Sequence, residues 1–401
     1  MRAPYTEVEY VCSPIDSGAA VPSTDRPTTA MIDLNALSHN YSKVARRIGD
    51  RKVLAVVKAR AYGHGAVMVS RRLVELGCHM LGVALLEEGR ELRDANITAP
   101  ILIMGPLFPE QAEAVVRAGL TPVVSTHAVA RALSGAAAGA GKTVPVHVKV
   151  DTGMGRIGLA PEEAAGFIST ISGLPGIAVE GLMTHFADAD LRDKQFASRQ
   201  MDRFEWLIRT LEAKGIAVPF RHAANSAAVL EYDRALLNMV RPGLMLYGYD
   251  PLENPSGADL RPVLSLVTRI AFLKKVPAGV PISYGRTFVT KRESLIATVP
   301  VGYADGYSRG LSNRGEAIVR GRRVPVAGRV CMDMTMLDVT DVPAVAEGDE
   351  AVLLGAQGSE RITADDIAAK TGTIAYEVLC GIGARVPRVV RDQGGSTEQG
   401  V

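Results

Sequence analysis

The chain has 401 residues, 47% of them hydrophobic and 22% charged, with a formal net charge of +2. This is globular composition, with length enough for two domains or for a barrel plus a smaller domain. The balanced charge, and the lack of any Lys/Arg run interleaved with aromatics, exclude a nucleic-acid binder, and no stretch approaches the ~18 unbroken apolar residues of a membrane span.

Residues 1–26 are rich in Pro, Ser and Thr, carry Glu7, Glu9, Asp16 and Asp25, and hold no apolar core of signal-peptide length. They read as a disordered N-terminal extension. From Ala30 to about Gly248 short apolar runs alternate with helical patterns. The runs are Val53–Lys58, Met80–Leu85, Ile101–Gly105, Thr121–Ser125, Val144–Asp151, Val179–Phe186, Phe220–Ser226 and Met239–Gly248. Helical periodicity fills Val67–Leu76, Pro109–Ala118, Pro161–Ser172 and Lys194–Lys214. Pro161 with Glu162 and Glu163 suits a helix start, and Gly77, Gly119 and Gly215 fall where helices should end. Eight buried strands alternating with helices predict a (β/α)8 TIM-type barrel over 27–262, with a doubly wound open sheet as the alternative. Beyond Pro262 the rhythm changes. Val263–Val276, Ser294–Val301, Glu316–Val319, Arg323–Val330, Met334–Val339 and Glu350–Leu354 read as strands, with one clear helix at Ala364–Lys370 capped by Thr363. This is a mainly β domain over 263–391, followed by a Gly/Ser/Gln tail over 392–401 expected to fray. Cys12, Cys78, Cys331 and Cys380 show no metal-ligand spacing and suit a reducing cytoplasm.

In a barrel, chemistry gathers at the carboxyl ends of strands. The unusual polar residues lie there: Lys58 after the first run, Lys149 and Asp151 on the fifth, His185 on the sixth, Asn225 and Ser226 on the seventh, and Arg241-Pro-Gly-Leu on the eighth. Lysine at the inner end of a buried strand is uncommon unless it has a partner or forms a Schiff base with a carbonyl compound. The plain alternatives are a lysine leaving the sheet for solvent, a core histidine at His185, a helix cap at Ser226, a Lys149–Asp151 pair and an interdomain salt bridge at Arg241.

The ten residues from Val56 to Gly65, Val-Val-Lys-Ala-Arg-Ala-Tyr-Gly-His-Gly, resemble the pyridoxal-phosphate attachment site of the alanine racemase family, which has Asn or Asp where this chain has Arg60. The resemblance extends from about Thr29 to Val390. It implies a PLP-dependent racemase interconverting L-alanine and D-alanine for D-alanine biosynthesis, with Lys58 and Tyr284 (in Ile-Ser-Tyr-Gly-Arg) as the two acid–base groups. Tyrosine titrates near ~10 unperturbed, so nearby cations would have to lower it. Around the cofactor the resemblance places Tyr62 and Tyr376 at the phosphate, with Ser226, Gly243 and Leu244 as its hydroxyl and amide donors. Arg241 would face the pyridine nitrogen, with His185 and Asn225 supporting it. An arginine there donates to an unprotonated ring nitrogen, which weakens the electron sink and suppresses transamination. Arg156 would reach the phenolic oxygen and the substrate carboxylate, oriented by Lys149, which many family members carry as a carbamate. Tyr303 and Met332 would contact the substrate and Asp333 would support them. Tyr284 and Met332 would enter the site of a partner subunit, implying a homodimer with shared active sites and a small amino-acid substrate. Two further readings stand beside this one: a racemase for serine or a broader range, motivated by Arg60, and a non-catalytic PLP-binding paralogue.

Overall fold

The first strand, β1 (Thr29–Ile32), does not join the eight strands that come next in the chain. It pairs antiparallel with Leu264–Arg269 and parallel with Arg388–Val390. The computed structural model describes residues 26–391, and within them the chain forms two units: residues 35–261, and residues 26–34 with 262–391. The first unit thus begins at 35 rather than at 27. Four apolar residues carry no signal of which distant strand they will pair with. Most of the N-terminal extension and the tail 392–401 lie outside the described residues. Arg26 does not: its guanidinium meets the buried Asp305 carboxylate at 2.7 Å and the Pro300 carbonyl at 3.2 Å.

The first unit contains β2 (Lys52–Val56), β3 (Met80–Val83), β4 (Ile101–Ile103), β5 (Thr121–Val124), β6 (Val144–Lys149), β7 (Ile177–Met183), β8 (Phe220–His222) and β9 (Met239–Val240). They pair in the order β8-β7-β6-β5-β4-β3-β2-β9, each pair parallel. β3, β4 and β5 are buried at every position, as strands covered on both faces must be, which explains their unbroken apolar runs. Helices separate them, among them Ala66–Glu75, Pro161–Ser172 and Gln195–Ala213, close to the ranges read from periodicity. The Pro109–Ala118 pattern instead begins as a 3-10 turn over Pro109–Gln111 and continues as a helix over Ala112–Arg117.

No ladder joins the end strands β8 and β9. The seam is crossed by single bonds: the Arg241 amide donates to the Ala224 carbonyl at 2.9 Å, and the Arg221 amide donates to Asn238 Oδ1 at 2.7 Å. On the flank, Asn40 lies fully buried in the helix Leu34–Ile48. Its Nδ2 donates to the Leu246 and Arg261 carbonyls at 3.0 and 2.8 Å, and its Oδ1 accepts the Arg261 amide at 2.8 Å.

The second unit adds β10 (Leu264–Arg269), β11 (Phe272–Val276), β12 (Pro281–Ile282), β13 (Phe288–Val289), β14 (Ser294–Val299), β15 (Glu316–Val319), β16 (Arg322–Pro325), β17 (Thr335–Asp338), β18 (Glu350–Gln357), β19 (Glu360–Ile362) and β20 (Arg388–Val390). One sheet runs β16-β15-β18-β10-β1-β20, with β19 on β18; β11-β14-β17 and β12-β13 form two smaller sheets. The Val263–Val276 run therefore breaks at Ile270 and serves two sheets. β10 alternates buried and half-buried residues, the mark of an antiparallel strand with one wet face. Val276, Ile282, Ile296 and Ala327 form a core between the smaller sheets. The Ala364–Thr371 helix is capped reciprocally: Asp366 N donates to Thr363 Oγ1 at 3.1 Å, and the Asp366 carboxylate accepts the Thr363 amide at 2.7 Å. A second helix, Ala375–Gly381, is not evident in the sequence because it is short and starts without a polar cap.

Replacing Asn40 with Leu strands one buried and two part-buried backbone groups at once. Urea denaturation should show Asn40→Leu destabilised by about 2–3 kcal/mol; a loss near zero would mean that water reaches those groups.

Candidate active site

Lys58 stands two residues beyond β2, half-buried, at the carboxyl end of the strands. The backbone beyond it winds the wrong way for its residues. Ala59, Arg60, Ala61 and Tyr62 all take positive φ, between 52° and 55°, making one turn of left-handed helix from residues that have side chains. Such a turn costs about 1–2 kcal/mol per residue, so its surroundings must impose it. They do so with hydrogen bonds. Ala61 N donates to Val57 O at 2.8 Å, Gly63 N to Ala59 O at 2.9 Å and Gly65 N to Arg60 O at 2.8 Å. The buried His64 Nδ1 lies 3.0 and 2.9 Å from the Ala61 and Tyr62 carbonyls, so it carries the proton and donates to both. Glu88, which no sequence motif singled out, braces the near end: its carboxylate accepts the Ala59 amide at 2.6 Å and the Ala84 amide at 2.7 Å. Tyr247 packs beneath, its ring 4.8 Å from Tyr62 and 4.6 Å from His64, and its hydroxyl donates to Val56 O at 2.8 Å.

The loops after β8 and β9 meet beside this turn. Asn225, not Ser226, caps the helix Ser226–Glu231, accepting the Ala228 amide at 3.0 Å. The Ser226 hydroxyl accepts amides from Gly243 at 2.8 Å and Met245 at 3.3 Å. Gly243 must be glycine, since a Cβ there would come within 2.5 Å of Tyr62 Oη. Tyr62, Ser226 and Gly243 are thus adjacent, and Leu244 comes next, buried, at the start of a 3-10 turn.

Arg241 is the electrostatic centre. Its side chain is buried, and burial draws the guanidinium down to about 9, which leaves it charged at neutrality. Nη1 donates to His222 O at 2.8 Å and lies 3.1 Å from His222 Nδ1; Nη2 donates to the Thr184 and Ala223 carbonyls at 2.7 and 2.9 Å and lies 3.3 Å from His185 Nδ1. Among the described residues, none accepts from Nε–H. Burial first, then the charges of Arg241, Arg156, Lys149 and Lys58, hold His185 well below its usual range, which sets those four cations around one neutral imidazole. Gln200, buried and without a sequence motif to mark it, donates to His185 O at 3.0 Å and fixes that loop.

Lys149 is buried, and burial beside Arg241 and Arg156 draws its ammonium down to about 8. Nζ donates to Val150 O at 3.0 Å. Asp151 instead orders the Thr-Gly-Met-Gly loop: its carboxylate accepts amides from Gly153 and Gly155 at 3.0 Å, and with Lys149 these outweigh burial and hold it below the usual carboxylate range. Arg156 is exposed at the end of that loop.

In the second unit, Tyr284, Tyr303 and Met332 converge on one backbone segment. Tyr284 rides the turn between β12 and β13, anchored by Ser283 Oγ donating to Arg329 O at 2.6 Å. Tyr303 N donates to Cys331 O at 3.0 Å and Ala304 N to Met332 O at 3.1 Å. All three side chains are bare, Tyr284 to 70% and Met332 to 53%. Asp333 pairs with Arg385 at 2.7 Å, and Arg385 also meets Asp305 at 3.4 Å. Tyr376 lies half-buried on the Ala375–Gly381 helix.

Similarity to known proteins spans both units. Residues 32–251 match the model of the alanine racemase N-terminal domain, and residues 263–390 that of the C-terminal domain. An alanine racemase of Halothermothrix orenii is 50% identical over 372 residues, 92% of this chain and 98% of the relative. An alanine racemase of Desulfovibrio desulfuricans is 48% identical over 369 residues, 92% of this chain and 99% of the relative. Among solved structures, the alanine racemase of Clostridium difficile superposes with a TM-score of 0.89 at 38% identity, covering 92% of this chain and 97% of that one. The alanine racemase of Bacillus anthracis with bound L-Ala-P gives 0.87 at 38% identity, covering 93% and 97%.

Arg60 holds φ 55°, a conformation that asparagine tolerates better than arginine. Arg60→Asn should therefore raise the unfolding free energy by about 0.5–1 kcal/mol in urea denaturation. A decrease would show that the arginine side chain itself stabilises the turn.

Proposed function

The chain belongs to the alanine racemase family, and we propose that it interconverts L-alanine and D-alanine with pyridoxal 5'-phosphate joined to Lys58 and Tyr284 acting from the opposite face. The single observation carrying this reading is Arg241: a buried guanidinium whose Nη groups are all committed to carbonyls and imidazoles, leaving Nε–H to meet an acceptor. A ring nitrogen held by that donor stays unprotonated, which favours return of the proton over transamination.

The residues fit the cofactor part by part. The Lys58 amine at the strand mouth suits its aldehyde. Tyr62 and Ser226, whose hydroxyl the Gly243 amide holds in place, form a close hydroxyl cluster suited to its phosphate, where glycine alone permits the approach of the tyrosine. When bound, pyridoxal phosphate supplies the electron sink that makes the α-hydrogen acidic. Lys58 then takes or returns a proton on one face and Tyr284 on the other. His185, held neutral, accepts from Arg241 and adds no further positive charge. Arg156 offers a guanidinium fork for the substrate carboxylate. The Lys149 amine, drawn down to about 8, is partly neutral near pH 7 and able to add carbon dioxide, losing one proton and becoming a carbamate anion among cations.

The bare Tyr284, Tyr303 and Met332 support a homodimer in which each copy covers these residues of the other and completes its site. Relatives at 50% and 48% identity across both units are alanine racemases, which favours alanine over the broader-range reading.

Borohydride treatment of the cofactor-loaded protein should fix the label on the peptide carrying Lys58 and abolish the absorbance near ~420 nm. A label on any other lysine overturns the assignment. Tyr284→Phe should suppress deuterium exchange at the α-carbon of L-alanine far more than of D-alanine, with Lys58 serving the latter. Equal suppression of both refutes the two-face division of labour.

A further inference from the structure

Behind Arg241 lies a row of buried groups that the functional reading leaves unused. His222 Nε2 is 2.8 Å from His147 Nδ1, and His147 Nε2 is 3.5 Å from Glu180 Oε2. The row has only one consistent direction. A guanidinium carries N–H groups alone, so His222 Nδ1, 3.1 Å from Arg241 Nη1, must accept. The neutral His222 ring then bears its proton on Nε2 and donates to His147 Nδ1. His147 in turn bears its proton on Nε2, aimed at the Glu180 carboxylate. Burial above all keeps both rings neutral, lowering His147 and lowering His222 further.

Two features of the backbone exist for this row. Val146 pairs with Val179 but His147 pairs with Gly181, so Glu180 is an extra residue in β7, a bulge that turns its side chain towards the ring. Position 181 must also be glycine: a Cβ there would come within 2.4 Å of His147 Nδ1. The atoms His147 Nε2 and Glu180 Oε2 are both buried and make no hydrogen bond among the described residues, so the 3.5 Å ion-pair contact between them is the interaction that each is left with. Beyond Glu180 the titratable neighbours are His79, which burial above all lowers from the ordinary histidine range, and, past it, Lys52.

We propose that Glu180 and His147 are positioning residues for the reaction: through His222 they fix a lone pair on Arg241, hold its guanidinium in one orientation, and so set how strongly Nε–H engages the cofactor's ring nitrogen. This rests on the reading that Arg241 faces that nitrogen, so the test separates the two. In the 15N-labelled apoprotein, imidazole correlation spectra should show His147 and His222 both protonated on Nε2 alone. His147→Leu removes the acceptor, so His222 should shift part of its population to the Nδ1–H form. In the loaded protein, His147→Leu and Glu180→Val should move the cofactor's absorbance band and its pH profile. Both should lower kcat about tenfold with little change in KM, and Glu180→Gln, which keeps an acceptor oxygen, should recover most of the loss. A His222 proton on Nδ1 in the unaltered apoprotein overturns the proposal without any variant having to fold. Expected tautomers with an unmoved cofactor band in both variants also overturn it, while leaving Lys58 as the attachment point, which borohydride tests separately.

Discussion

A buried guanidinium must find acceptors for its N–H groups, and the barrel is arranged around that requirement at Arg241. The three carbonyls that accept from it, at Thr184, His222 and Ala223, come from the ends of β7 and β8, while Arg241 itself lies just past β9. The same residue donates its backbone amide across the one seam that lacks a ladder. Closing the barrel and orienting the charge are thus one event. Any displacement of β8 from β9 would strand donors in a site where an unmet bond costs about 1–3 kcal/mol. The neutral state of His185 and the lowered Lys149 result first from burial and then from this fixed charge.

Much of this was legible in the residues. Apolar runs bounded by glycine and proline located the eight parallel strands, because strands buried on both faces leave continuous hydrophobic stretches. Polar residues ending those runs marked the mouth, since only chemistry or a partner justifies lysine or arginine there. Other features left no local trace. His147 sits within Val-Pro-Val-His-Val-Lys and looks like one more core position, and its link to Glu180 depends on a register shift that only pairing reveals. Ser226 and Asn225 are both good helix caps by type, and which one caps was decided by where the Gly243 and Met245 amides arrive. β1 pairs with residues more than 200 positions away. Arg26 closes on Asp305 through charge, to which hydrophobic periodicity is blind.

The second unit solves a different problem. Short antiparallel strands leave exposed turns, and two of these are tied to the Arg329–Met334 segment, the Tyr284 turn through the Ser283 hydroxyl and the Tyr303 turn by backbone bonds. That rigidity matters because Tyr284 and Met332 project from it uncovered, and an acid–base group must be held to a fraction of an ångström to be useful. The Arg385 bridge between Asp305 and Asp333 stiffens the same region from behind.

The reversed coil after Lys58 has a bearing on how the molecule matures. A stretch of Ala-Arg-Ala-Tyr has no intrinsic reason to wind against its natural hand, so it cannot nucleate by itself in a nascent chain. It becomes favourable only when Glu88, His64 and Tyr247 already stand in place, and these come from three separate parts of the sequence. The reactive amine is therefore presented in its working pose only by an assembled barrel, and an immature polypeptide offers a reactive aldehyde no better anchorage here than at any surface lysine.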